Sequence, residues 1–101
     1  MNDKRYIEIN GKSYRVASNC MGVTLGLLEV FDGAIPEMLG PREMLILMGL
    51  SIYWGEYMDG RESDFSQDAF CTMEAREGQR ILNEFRTIYD EQNPGAGKKK
   101  A

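Results

Sequence analysis

Histidine is missing from this sequence altogether, which removes the commonest general base and the commonest metal ligand together. Cysteine occurs only twice, as Cys20 and Cys71, and neither belongs to a CxxC pair, so no zinc site is expected. A single possible bridge in a chain with an adequate core points to reduced thiols. No phosphate-cradling glycine motif occurs: Gly22 and Gly26 fall inside a helical pattern and no GK[ST] follows them. The segment Asp59-Gly60-Arg61-Glu62-Ser63-Asp64 lacks the spaced ligands and distal glutamate of a calcium loop and reads as a turn between helices. Glu74 and Glu77 fit a solvated helix face better than a catalytic carboxylate pair. These absences leave no expected enzyme chemistry, cofactor or metal.

Basic residues are also in deficit, 12 against 16 acidic ones. Three of the twelve are Lys98, Lys99 and Lys100 at the end, so the rest of the chain is strongly acidic. Such a body repels phosphate backbones, which argues against nucleic acid as the main ligand. The lysine run reads either as a solubilising tail or as an interaction element. No apolar run reaches the roughly 18 residues needed to span a bilayer, so no membrane partner is expected. Met1-Asn2-Asp3-Lys4-Arg5 leads straight into a strand pattern without a signal-peptide core, and the expected location is cytoplasmic.

What is present suffices for one domain: 101 residues, 43% of them hydrophobic and 28% charged. Tyr6 to Val16 reads as a β-hairpin about Asn10-Gly11, the dipeptide that supplies the two positive φ angles of a type I′ turn. A two-residue loop pairs Ile9 with Lys12 and Ile7 with Tyr14, which puts Ile7, Ile9, Tyr14 and Val16 on one face. A lone hairpin is marginal, so that face needs helices to lie on. Helices are expected over about 20–32, 41–58 and 66–90. Ser18 or Asn19 would cap the first, and Gly33 would stop it. Pro41 suits the first position of the second, and Asp59-Gly60 ends it. Ser66 alone, or Asp64 with Gln67, caps the third, with a kink or a boundary near Glu77-Gly78. The expected fold is mainly α with an N-terminal β-hairpin, three to four helices and an apolar central helix. It forms a single domain over 1–93, followed by a disordered basic tail at 94–101.

Met44 to Trp54 is apolar almost all round a helix, where a surface helix would show one stripe. Such a helix must be wrapped by its neighbours or by another chain. Met44, Met48, Tyr53, Trp54 and Tyr57 form the candidate partner-binding set. Methionines fill irregular cores, and they also line adaptable binding surfaces; tryptophan and tyrosine join an apolar body to a polar tip. Gly22 and Gly26, four apart, would let another backbone approach the first helix closely.

The order of features resembles a family. A hairpin of the form Ile-x-Ile-Asn-Gly-Lys-x-Tyr-x-Val is followed by a helix with Leu28-Glu29 that ends at Gly33. An apolar helix ending Ile52-Tyr53-Trp54-Gly55 comes next, then a polar turn before Ser66-x-Asp68-Ala69. Over about residues 5–90 this is similar to the small tail assembly chaperones of long-tailed bacteriophages and prophages. The resemblance implies a non-enzymatic protein of the bacterial host cytosol. Such a protein would coat the hydrophobic helical tape measure protein, recruit tail tube subunits and self-associate along the tape. It also implies that the codons of Gly97-Lys98-Lys99-Lys100 could form a ribosomal slippery site. Members of the family are chiefly helical, and the strong hairpin here departs from that pattern. The rival readings are a structural phage component, such as a head–tail connector or tail-completion subunit, and a small regulatory binding protein.

Overall fold

The turn at Asn10-Gly11 sets the hairpin. Both residues sit at positive φ, 55° and 79°, and join β1 (Arg5–Ile9) to β2 (Lys12–Val16). The register is the one the turn demands, with Ile9 opposite Lys12, Ile7 opposite Tyr14 and Tyr6 opposite Arg15. The computed structural model describes residues 4–36 and 38–94. Beyond Pro94, the expected basic tail and its three lysines lie outside the described residues.

Four helices follow: α1 (Met21–Val30), α2 (Pro41–Met58), α3 (Gln67–Cys71) and α4 (Ala75–Gln92). The fold is thus mainly helical with an N-terminal antiparallel hairpin, as the patterning requires. α2 begins at Pro41 and ends at Met58, where Gly60 at φ 77° lets the chain turn back. Arg61 N then donates to Glu56 O and Gly60 N to Tyr57 O, the bonding of a Schellman stop. α1 ends the same way, Gly33 N reaching Leu28 O, but Asp32 takes the left-handed position before Gly33.

Two expectations fail. The segment 66–90 is two helices, one of the two alternatives, but their boundary is not near Glu77-Gly78: it is earlier, at Thr72–Glu74, and Gly78 lies in the first turn of α4. Phe70 and Met73 pack over that glycine, within ordinary contact distance of where its Cβ would be, so the corner closes on it. Ser66 does cap α3, its Oγ accepting from Ala69 N at 3.1 Å. Neither Ser18 nor Asn19 caps α1; Cys20 holds the cap position and contributes no side-chain capping bond. Ser18 is drawn away by the far end of α4. Gln92 Oε1 accepts from Ser18 N and Oγ, Gln92 Nε2 donates to Val16 O at 2.9 Å, and Asn93 Nδ2 donates to Ser18 Oγ. These bonds pin the β2–α1 connection to the end of α4.

The predicted apolar face of the hairpin, Ile7, Ile9, Tyr14 and Val16, is buried with Leu47, Met48 and Ile52 of α2 and Ile81, Phe85 and Ile88 of α4. β2 is fixed along one row of α2, Ser51, Gly55 and Asp59, spaced four apart. Ala17 N donates to Ser51 O at 3.1 Å, and Arg15 Nη1 donates to Asp59 Oδ1 at 2.7 Å. Between them Arg15's carbonyl lies so near Gly55 that a Cβ there would overlap it. Arg15 N donates to Glu56 Oε2 at 2.9 Å. Glu56 is only 3% exposed, yet its carboxylate is fully engaged, because Arg61 Nε and Nη2 meet its two oxygens at 3.2 and 3.0 Å.

Three outcomes follow from this packing. Gly55→Ala should cost about 3 kcal/mol by forcing β2 off the helix. Gly49→Ala, on the same helix but with only ordinary contacts to Phe65 and Gln67, should gain about 0.5–1 kcal/mol in urea unfolding. Arg61, and then the Arg15 amide, hold the Glu56 carboxyl below its ordinary 4.5, against the opposing effects of burial and Asp59. The folded state therefore favours the ionised form. Its contribution is complete above pH 4.5 and fades as the pH falls through the lowered value. Glu56→Gln should destabilise the protein by about 2 kcal/mol at neutral pH and flatten the acid limb of its stability curve.

Candidate partner-binding surface

α1 is ten residues long, carries apolar side chains on every side and has Glu29 as its one charge. Its inner residues Val23 and Leu27 reach the core. Its contact with α2 is made over glycine. A Cβ on Gly22 would lie within the Trp54 indole, and one on Gly26 would come within 2.7 Å of Leu50 Cδ2. The spacing of four that weakens the helix intrinsically thus opens two seats for α2 side chains, rather than for another backbone.

The outer side of α1 is left over. Met21 is 68% exposed and Leu25 more than half exposed on that side, while Val30, on the Gly22–Gly26 row at the end of the helix, is half exposed beside α2. Beside them on α2, Trp54 stacks edge-on with both Tyr53 and Tyr57, at centroid distances of 4.9 and 5.5 Å. Tyr53 is half exposed, Tyr57 is 65% exposed, and Met58 extends the patch. Val30, Ile46, Leu50 and Tyr53 also share an open groove with Gly49, Phe65 and the polar Ser63 and Gln67. The result is an apolar strip running from the end of α1 across Leu50 and Trp54 to Tyr57, of the kind that marks interaction surfaces.

Of the five residues singled out from the sequence, the structure brings Tyr53, Trp54 and Tyr57 together. Met44 and Met48 do not belong with them. Met48 is 0% exposed and Met44 nearly so, both inside the core cluster. The reason is position: α2 runs between the hairpin, α1 and α4, so its inner faces are wrapped on three sides. Met21, Leu25 and Val30 were missed. The available signal was α1's single charge in ten residues, together with a pair of glycines marking which side faces inward.

The charged groups are arranged for structure. Tyr6 Oη donates to Asp59 Oδ2 at 3.0 Å, and the Arg15 guanidinium, followed by Tyr6, holds the Asp59 carboxyl below its usual value. Tyr14 Oη donates to Asp64 Oδ1 at 3.0 Å, and Lys12 pairs with the same carboxylate. Burial, then the bond to Asp64, pushes the Tyr14 hydroxyl up to about 12. An open cleft between the hairpin and the end of α4 is lined by Lys4, Arg5, Arg15 and Glu91, with Arg5 paired to Glu91. Among the described residues, no group of three His, Cys, Asp or Glu could hold a metal ion, both cysteines are free, and no helix is long and apolar enough to cross a membrane. No family profile matches the chain, and comparison with curated proteins and with solved structures finds no match.

Gly22→Ala should displace the indole of Trp54, the sole tryptophan, at a cost of about 1–3 kcal/mol. Trp54 emission should shift to longer wavelength in the folded protein as the ring is pushed toward water.

Proposed function

We propose that this chain is a non-catalytic binding protein acting as a phage or prophage tail assembly chaperone. In this reading it holds the tape measure protein on the strip formed by α1 and the Tyr53–Trp54–Tyr57 cluster, and helps recruit tail tube subunits. The observation that carries the reading is the strip itself: α1 exposes Met21, Leu25 and Val30 with Glu29 as its one charge, next to two exposed tyrosines. A surface of this kind adheres to the apolar face of many amphipathic helices without demanding one sequence. The resemblance in the order of elements supplies the class of partner. The acidic body would keep a coated filament soluble.

Trp54 is seated on Gly22, so its removal would disturb the fold as well as the surface. Leu25 and Tyr57 are the cleaner probes. The double variant Leu25→Ser/Tyr57→Ser should stay within about 0.5 kcal/mol of the parent in stability. Co-expressed with the tape measure protein of the same genome, the parent should keep it soluble and copurify with it, and the variant should lose at least about tenfold of that yield. Equal yields would refute the assignment of this surface. Mass spectrometry of finished particles completes the test: a chaperone is absent from them, and a structural component is retained.

A further inference from the structure

The two edges of the hairpin are treated differently. With a two-residue turn, Ile9–Lys12, Ile7–Tyr14 and Arg5–Val16 are the pairs that exchange backbone bonds across the ladder. Ser13, Arg15 and Ala17 therefore turn their amides outward on the β2 side, and α2 receives two of them. On the β1 side Lys4, Tyr6 and Glu8 turn outward. Among the described residues, no backbone group pairs with them across that edge. An open edge is a template for another strand, and proteins that need it closed to others often place charge there.

The charges on this edge have an order. Lys4, Tyr6 and Glu8 alternate on the solvent face, so the row reads positive, aromatic, negative. Read antiparallel against itself, that row is complementary. We propose that β1 pairs antiparallel with β1 of a second copy of this chain, joining the two hairpins into a four-stranded sheet. The two-fold axis sets Tyr6 opposite the partner's Tyr6 and Lys4 opposite the partner's Glu8, twice.

The competing registers are poorer. Moving the axis to Ile7 sets Glu8 against the partner's Tyr6 and carries Lys4 to the partner's Asn10, which has left the strand at φ 55°. Moving it to Glu8 puts two like charges face to face, which is destabilising. In the chosen register about six backbone bonds form, and two ion pairs flank a tyrosine pair on one face. Lys4 already lies 3.9 Å from Asp59, and Tyr6 Oη donates to the same carboxylate, so the side chains of this face are ordered before association. This inference does not rest on the tape measure reading. The edge lies on the hairpin and the apolar strip on α1 and α2, so either can fail alone.

The test is sedimentation equilibrium on the full chain from about 10 μM to about 1 mM. The parent should show a monomer–dimer equilibrium in that range. Glu8→Lys sets lysine against the partner's Lys4 and should weaken the dimer at least about tenfold; Lys4→Glu should do the same. The double variant Lys4→Glu/Glu8→Lys, and equally an equimolar mixture of the two single variants, should return affinity to within about threefold of the parent. Both positions are exposed, so circular dichroism should stay unchanged; Glu8→Gln replaces the reversal if it does not. A monomer at about 1 mM overturns the proposal, including the case in which the edge accepts only a strand from a different protein. So does a dimer indifferent to the reversals, or a double variant no better than the singles.

Discussion

The rest of the molecule depends on the seating of β2 against α2. A two-stranded hairpin has no stability of its own to spare, and its second strand would leave alternate amides facing water. α2 meets both needs at once. Its Ser51–Gly55–Asp59 row is narrow enough for the Arg15 carbonyl to pass over Gly55, and it offers a carbonyl and a carboxylate on either side. Glu56 adds the bond to the Arg15 amide and is held ionised by Arg61, which the Schellman stop at Gly60 folds back onto it. A buried carboxylate is costly when unpaired; this one has three donors. Once β2 is seated, the face of Ile7, Ile9, Tyr14 and Val16 is presented to α4, and the core closes.

That arrangement also decides which apolar residues remain outside. α2 is occupied on three sides, so most of a helix that looks too hydrophobic for its protein is satisfied there, Met44 and Met48 included. α1 has α2 on one side, and no further element of the described chain covers its outer face. The excess apolar surface therefore moves one helix outward from where composition alone would put it. Trp54 is the bridge, half buried on Gly22 and flanked by two exposed tyrosines. The physical basis of a partner-binding role rests on Leu25 and Tyr57 rather than on Met44 and Met48.

The sequence carried the turn and register of the hairpin to the residue, because Asn10-Gly11 fixes both and the alternation of Ile7, Ile9, Tyr14 and Val16 agrees with them; the first strand begins one residue earlier than expected, at Arg5. α2 was equally plain from Pro41 and Asp59-Gly60. Where local signals competed with distant ones, local reasoning failed. Ser18 looks like a cap until Gln92, 74 positions away, claims it. Gly78 looks like a helix breaker until Phe70 folds over it. Met44 and Met48 look like the methionines of a binding surface, and only the placement of α1 and α4 shows otherwise. Glu56 had no sequence signal at all, since a lone glutamate near a helix end reads as solvated.

Native-state amide exchange of the monomer tests the seating of β2 most directly. Arg15 and Ala17 face away from β1, so only α2 can protect them. Their amides should exchange only through global unfolding, as slowly as those of Ile81 and Phe85 in α4, while the neighbouring Ser13 exchanges orders of magnitude faster. Exchange of Arg15 and Ala17 at the rate of Ser13 would mean that the hairpin is not held by α2, and the account would be wrong at its base.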